Sequence, residues 1–105
     1  MLNTLKQLFG FGPKVNLGEL IQAGATIIDV RTKGEYAAGH VKGSVNVPLD
    51  QLVSYSQKIK DKEKPIITCC ASGMRSASAK SILKSKGFTT VYNGGPWVSL
   101  VKHTR

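Results

Sequence analysis

Two adjacent cysteines, Cys69 and Cys70, end an apolar run and lead directly into Ala71-Ser72-Gly73-Met74-Arg75-Ser76. The order reads as a buried strand, a short loop containing a glycine, and a helix that starts near Arg75. Such a loop turns several backbone N–H groups inward as a nest, with a helix N-terminus behind them. A thiolate at its centre has its charged form favoured by those donors and by the helix dipole, and comparable surroundings hold cysteine pKa values at roughly 3.5–7.5. Gly73 permits the tight turn, and Arg75 offers a planar fork to an oxyanion substrate. Nucleophilic chemistry at sulfur is therefore the expectation. The plainer alternative is a buried cysteine pair at a strand end, since free cysteine is among the most buried residue types.

The pair itself constrains the setting. Adjacent Cα atoms lie about 3.8 Å apart, too close for ordinary disulfide geometry. A structural disulfide within the chain is not expected, which points to a reducing compartment or a reactive thiol.

The elements that must position this loop are legible around it. Asn16 and Glu19 have capping-box spacing, with Val15 and Leu20 placed as a hydrophobic staple, and Gly24 ends that helix. Thr26-Ile27-Ile28-Asp29-Val30 reads as a buried strand. Thr32 and Glu35 repeat the capping-box pattern for a short helix closed by Gly39. Val45-Asn46-Val47 is a short strand ended by Pro48, and a helix follows from Asp50 with Leu49, Leu52, Val53 and Ile59 on one side. The charged run 58–64 reads as a solvated connection into the central strand, Ile66-Ile67-Thr68-Cys69. The helix from about Arg75 to Lys86 buries Ala79, Ile82 and Leu83, and Gly87 caps it. Thr89-Thr90-Val91-Tyr92 is the last strand, Asn93-Gly94-Gly95-Pro96 a turn, and Trp97, Leu100 and Val101 lie on a final short helix. Strands alternate with helices, which predicts an α/β domain: a mostly parallel sheet with helices on both faces. Ligands of such sheets bind beyond the carboxyl ends of the strands, where the cysteine loop falls.

The 105 residues suit one domain, read as 15–105, preceded by a segment 1–14. In that segment Leu2, Leu5, Leu8 and Phe9 form an apolar stripe at helical spacing, read as a short helix or a frayed end. No stretch has the length of a signal peptide or a membrane span, so a cytoplasmic protein is expected. Net charge is +9, and all six acidic residues lie at or before Glu63, while Arg75, Lys80, Lys84, Lys86, Lys102 and Arg105 follow. That asymmetry either steers small anions or is a solvated lysine-rich surface. Nucleic acid is not the expected partner, because no aromatic residues interleave with the basic ones.

With these blocks in view, the sequence resembles the single-domain rhodaneses from about Val15 to Trp97. Cys70-Ala71-Ser72-Gly73-Met74-Arg75-Ser76 matches that family's C-x-x-G-x-R-S loop. Ile28-Asp29-Val30-Arg31, Glu35-Tyr36, Gly39-His40-Val41 and Gly43-Ser44-Val45-Asn46-Val47-Pro48 look like its upstream signature, and Gly94, Gly95 and Trp97 like its closing G-G…W. Ser44, Val41 and the extra Cys69 are mild departures. The resemblance implies a ping-pong sulfur transfer without a cofactor. Cys70 would be the nucleophile, the loop residues 71–76 the substrate cradle, and thiosulfate or a persulfide the donor. Cyanide, a thiol or a protein cysteine would be the acceptor.

Two other readings stay open. Counted from Cys69, the same loop satisfies the C-x5-R-[ST] pattern of cysteine-dependent phosphatases. Thr68 stands where those enzymes usually carry histidine, and no downstream aspartate supplies a general acid. Some rhodanese-like domains are non-catalytic carriers or interaction modules, against which the intact loop argues. Asp29, Arg31, Glu35 and His40 are read as loop supports and Trp97 as packing. His40, Cys69, Cys70 and His103 lack metal-ligand spacing.

Overall fold

A computed structural model of the chain describes residues 15–104. The apolar stripe at the N-terminus, with the whole of segment 1–14, lies outside the described residues. The fold alternates strictly: α1 (Leu17–Gln22), β1 (Thr26–Asp29), α2 (Lys33–Ala38) and β2 (Val45–Asn46) come first. A 3-10 turn (Leu49–Gln51) runs into α3 (Leu52–Gln57), followed by β3 (Ile66–Cys70), α4 (Met74–Ser85), β4 (Val91–Pro96) and a 3-10 helix (Trp97–His103). The four strands form one parallel sheet in the order β2-β1-β3-β4. The central strand β3 is buried along its whole length, as its β-branched, uncharged sequence requires.

Because side chains alternate along a strand, each face of the sheet carries its own core. One face gathers Ile28, Val30, Ile66, Cys70 and Val91 under Leu52 of α3 and Ala79 and Leu83 of α4. The other gathers Ile27, Val41, Ile67 and Cys69 under Leu100, with Leu17, Leu20 and Ile21 of α1 packed against them. The helices thus cover both faces.

Local chemistry sets the helix starts. The Asn16 side chain accepts the Glu19 N–H at 3.0 Å. Thr32 and Glu35 make the full reciprocal box: Glu35 N–H donates to Thr32 Oγ1, and Thr32 N–H donates to Glu35 Oε1. In α3, Val53, expected on the inward side, is 39% exposed, while Ser56 is buried and donates its hydroxyl to the Val53 carbonyl. Leu49, Leu52 and Ser56 keep helical i, i+3, i+7 spacing, which leaves Val53 at the edge of the inward face.

The other departure is at Asn93-Gly94-Gly95-Pro96, which continues β4 instead of turning. Thr68 pairs with Asn93 but Cys70 with Pro96, so β4 carries one extra residue as a bulge beside the cysteine. Gly94 makes this approach possible, since a Cβ there would stand 2.8 Å from Ile67 Cγ2 and 2.9 Å from the Thr68 carbonyl.

Candidate active site

Cys70 is the last residue of β3, at the carboxyl end of the sheet, and α4 opens four residues later. Gly73 makes the corner between them with φ 104°, a left-handed backbone that glycine adopts without strain. The loop closes on the sulfur. Gly73 N–H donates to Cys70 Sγ at 2.9 Å and Ser76 N–H at 3.4 Å, and the Ser76 hydroxyl lies 3.5 Å from it. Burial pushes the Cys70 thiol up, but the Ser76 hydroxyl and the N–H groups of Ser76, Gly73 and Ser72 outweigh it. The net effect is a Cys70 pKa below the ordinary thiol value.

Cys69 has the opposite surroundings. It is fully buried in the core on the other face, and burial, then the Asp29 carboxylate, push its thiol up to about 12, with Arg31 offsetting part. The two thiols do not share a cradle.

The remaining loop residues divide by exposure. Ala71, Ser72 and Met74 face solvent, Met74 with 79% of its surface exposed. Ser76 is buried, and its hydroxyl donates to Asn93 Oδ1 at 2.6 Å and lies 3.0 Å from the Gly73 carbonyl.

Arg75 departs from expectation. Its fork is already filled: Nη1 donates to Glu35 Oε1 at 2.8 Å and Nη2 to Glu35 Oε2 at 2.9 Å. Glu35 thereby does more than cap α2. The Arg75 guanidinium, then the Thr32 N–H, hold its carboxyl down at about 2. A shallow, mostly apolar groove of about 340 Å³ runs beside this pair, lined by Val30, Thr32, Pro48, Leu49, Asp50 and Arg75.

Asp29, Arg31 and Trp97 form a separate unit. Asp29 is fully buried, and Arg31 Nη2 and Nε meet its carboxylate at 2.7 and 2.9 Å. Arg31 also donates to the Gly39 and Glu35 carbonyls and sits 4.8 Å from the centre of the Trp97 ring. Its hydrogen bonds tie the loop after α2 to the end of β1. His40 stacks on Tyr36 with ring centres 3.7 Å apart, its Nδ1 2.8 Å from the Tyr36 carbonyl. His103 packs its ring against Gly18 of α1.

One residue at the site escapes sequence reasoning altogether. Asn93 of β4 joins the Gly73 carbonyl, the Ser76 hydroxyl and the Gly95 N–H. The only sequence signal was a turn-like Asn-Gly-Gly-Pro, which says nothing of a distant loop.

A parallel sheet whose central strand ends in a cysteine, wrapped by a glycine loop at a helix start, defines a class of cysteine-centred α/β domain. The chain belongs to the rhodanese-like domain family, whose model matches residues 15–95. It is 33% identical over 81 residues to the thiosulfate sulfurtransferase GlpE of Pseudomonas fluorescens, covering 77% of this chain and 73% of that protein. It is 38% identical over 69 residues to the uncharacterized protein YqhL of Bacillus subtilis, covering 66% of this chain but only 54% of YqhL. Among solved structures, a rhodanese with anions from E. coli superposes with a TM-score of 0.67 at 32% identity, covering 72% of this chain and 91% of that one.

Proposed function

We propose that the chain is a sulfurtransferase that carries sulfane sulfur as a persulfide on Cys70. The observation that carries the reading is the convergence of the Gly73 and Ser76 N–H groups on Cys70 Sγ. The names of its relatives agree with it. Such donors stabilise the attacking thiolate and, after transfer, the terminal charge of the persulfide.

The steps balance without a cofactor. The Cys70 thiolate attacks the outer sulfur of thiosulfate, and the S–S bond of the donor breaks with its electron pair leaving on sulfite. The new bond is Cys70 Sγ–S⁻. A thiophilic acceptor (cyanide, a thiol or a protein cysteine) then attacks the outer sulfur, and the electron pair of the breaking bond restores the thiolate. Splitting one transfer into two displacements is the gain of covalent catalysis. A persulfide donor enters by the same first step with a thiolate as leaving group. Arg75 is paired with Glu35, so the donors on the sulfur itself are the loop N–H groups and the Ser76 hydroxyl.

Against a phosphatase counted from Cys69 stands that thiol's burial and its pKa of about 12, which leave no thiolate near neutral pH. The test is thiocyanate formation from thiosulfate and cyanide. Parallel double-reciprocal lines are expected, as two successive displacements require. Absence of thiocyanate together with hydrolysis of a phosphate ester would overturn the reading.

A further inference from the structure

Asn93 lies on a different strand from the cysteine loop, yet its side chain makes three hydrogen bonds at the loop's rim. Nδ2 donates to the Gly73 carbonyl at 3.2 Å, while Oδ1 accepts the Gly95 N–H at 2.9 Å and the Ser76 hydroxyl at 2.6 Å. The network itself fixes the amide orientation. Turned over, Nδ2 would face the Gly95 N–H and Oδ1 the Gly73 carbonyl, setting donor against donor and acceptor against acceptor. Both loop residues held by Asn93 also touch the sulfur: Gly73 through its N–H, and Ser76 through its N–H and its hydroxyl. The β4 bulge brings Asn93 there, since it shares a register position with Thr68 while Pro96 shares one with Cys70. The approach is tight as well, for a Cβ on Gly73 would lie 3.4 Å from Gly95 Cα.

We propose that Asn93 is the positioning residue of the cysteine cradle, holding Gly73 and Ser76 where their donors converge on Cys70 Sγ. This rests on the reading of Cys70 as the reacting thiolate, but not on the identity of the sulfur donor. The Ser76 hydroxyl has a single proton for three neighbours. With Cys70 as a thiol, that proton goes to Asn93 Oδ1 and the thiol donates to Ser76 Oγ. With Cys70 as a thiolate, the hydroxyl turns to donate to sulfur, and the Gly95 N–H keeps Asn93 Oδ1 satisfied. Asn93 Oδ1 thus holds the hydroxyl only while Cys70 is a thiol, whereas Nδ2 holds the Gly73 carbonyl in both states. Among the described residues, the charged groups near Cys70 are Arg75 of α4 with its partner Glu35 of α2, and the Asp29–Arg31 pair beyond Cys69. Asn93 adds no charge to them, so its influence travels through geometry.

The test is the thiolate ultraviolet absorbance of the intact protein against pH, taken as the difference from Cys70→Ser so that tyrosines and Cys69 cancel. In Asn93→Ala, the Cys70 midpoint should rise by about one pH unit, which is about tenfold less thiolate at any pH well below it. Asn93→Leu keeps a similar size and adds no charge at this exposed position, but loses all three hydrogen bonds. It should also rise, and it decides the matter should the alanine variant fail to fold. An unchanged midpoint in a folded variant overturns the proposal. Thiocyanate assays on the same samples separate this inference from the function. A shifted midpoint in a protein whose parent transfers no sulfur would sink the function alone, and an unshifted midpoint in an active parent would sink the inference alone.

Discussion

Arg75 and Glu35 meet fork to fork across 40 positions of sequence, with nitrogen–oxygen distances of 2.8 and 2.9 Å. The arginine that an anionic donor would seek is therefore occupied before any donor arrives. Glu35→Gln should free most of its binding power and lower the thiosulfate KM several-fold, with kcat less changed, because charge-assisted contacts would pass to the substrate. Steady-state rates against thiosulfate concentration check this. A KM that rises instead would show that Glu35 is needed to aim the guanidinium.

The same pair predicts an acid response. The folded pKa of Glu35, about 2, lies below its ordinary value of 4.5. A carboxyl depressed on folding contributes stability that is present above its unfolded pKa and is lost as pH falls through the folded one. The stability advantage over Glu35→Gln should thus hold at neutral pH and shrink between about 4.5 and 2. Denaturant titrations of both proteins across that window measure it, and an advantage that persists at the acid end would contradict the assignment.

Beneath the site, Asp29 and Arg31 form a buried pair. Removing one partner of such a pair typically costs about 3–5 kcal/mol, because the other charge is left buried without compensation. Arg31→Met should therefore unfold at much lower denaturant concentration than the parent, with Asp29→Asn, Arg31→Met recovering part of the loss. Equal stability of the single and double variants would argue against a desolvated Asp29.

Cys69 packs against Ile67 and Leu100 in the core opposite Cys70. Cys69→Ser places a hydroxyl there, and an unsatisfied buried group costs about 1–3 kcal/mol. Lower stability with most of the sulfur transfer retained is the expected outcome, read by chemical denaturation beside the thiocyanate assay. Full stability with lost transfer would assign Cys69 a chemical role.

How far these features were legible follows from their range along the chain. The cysteine loop and the Thr32–Glu35 cap are contiguous or nearly so, and residue types alone mark them. The parallel sheet follows from alternation of β-branched runs with capped helices. The Glu35–Arg75 pair was invisible, because each residue already had a sufficient local role, one as a cap and one as an anion fork. Asn93 was hidden by its neighbours. Asn-Gly-Gly-Pro carries the chemistry of a turn, and only the register against Thr68 and Cys70 makes it a bulged strand reaching the loop. Val53 was read as inward because it is apolar, but the buried spacing runs through Leu49, Leu52 and Ser56, and a serine gives no apolar signal.

The central claim is that Cys70, and not Cys69, receives sulfur. It is tested most directly by incubating the protein with thiosulfate, removing the excess, and measuring intact mass under non-reducing conditions. A gain of one sulfur atom is expected in the parent and in Cys69→Ser, reversed by cyanide, and none in Cys70→Ser. No gain in the parent, or a gain that survives Cys70→Ser and disappears in Cys69→Ser, would contradict it.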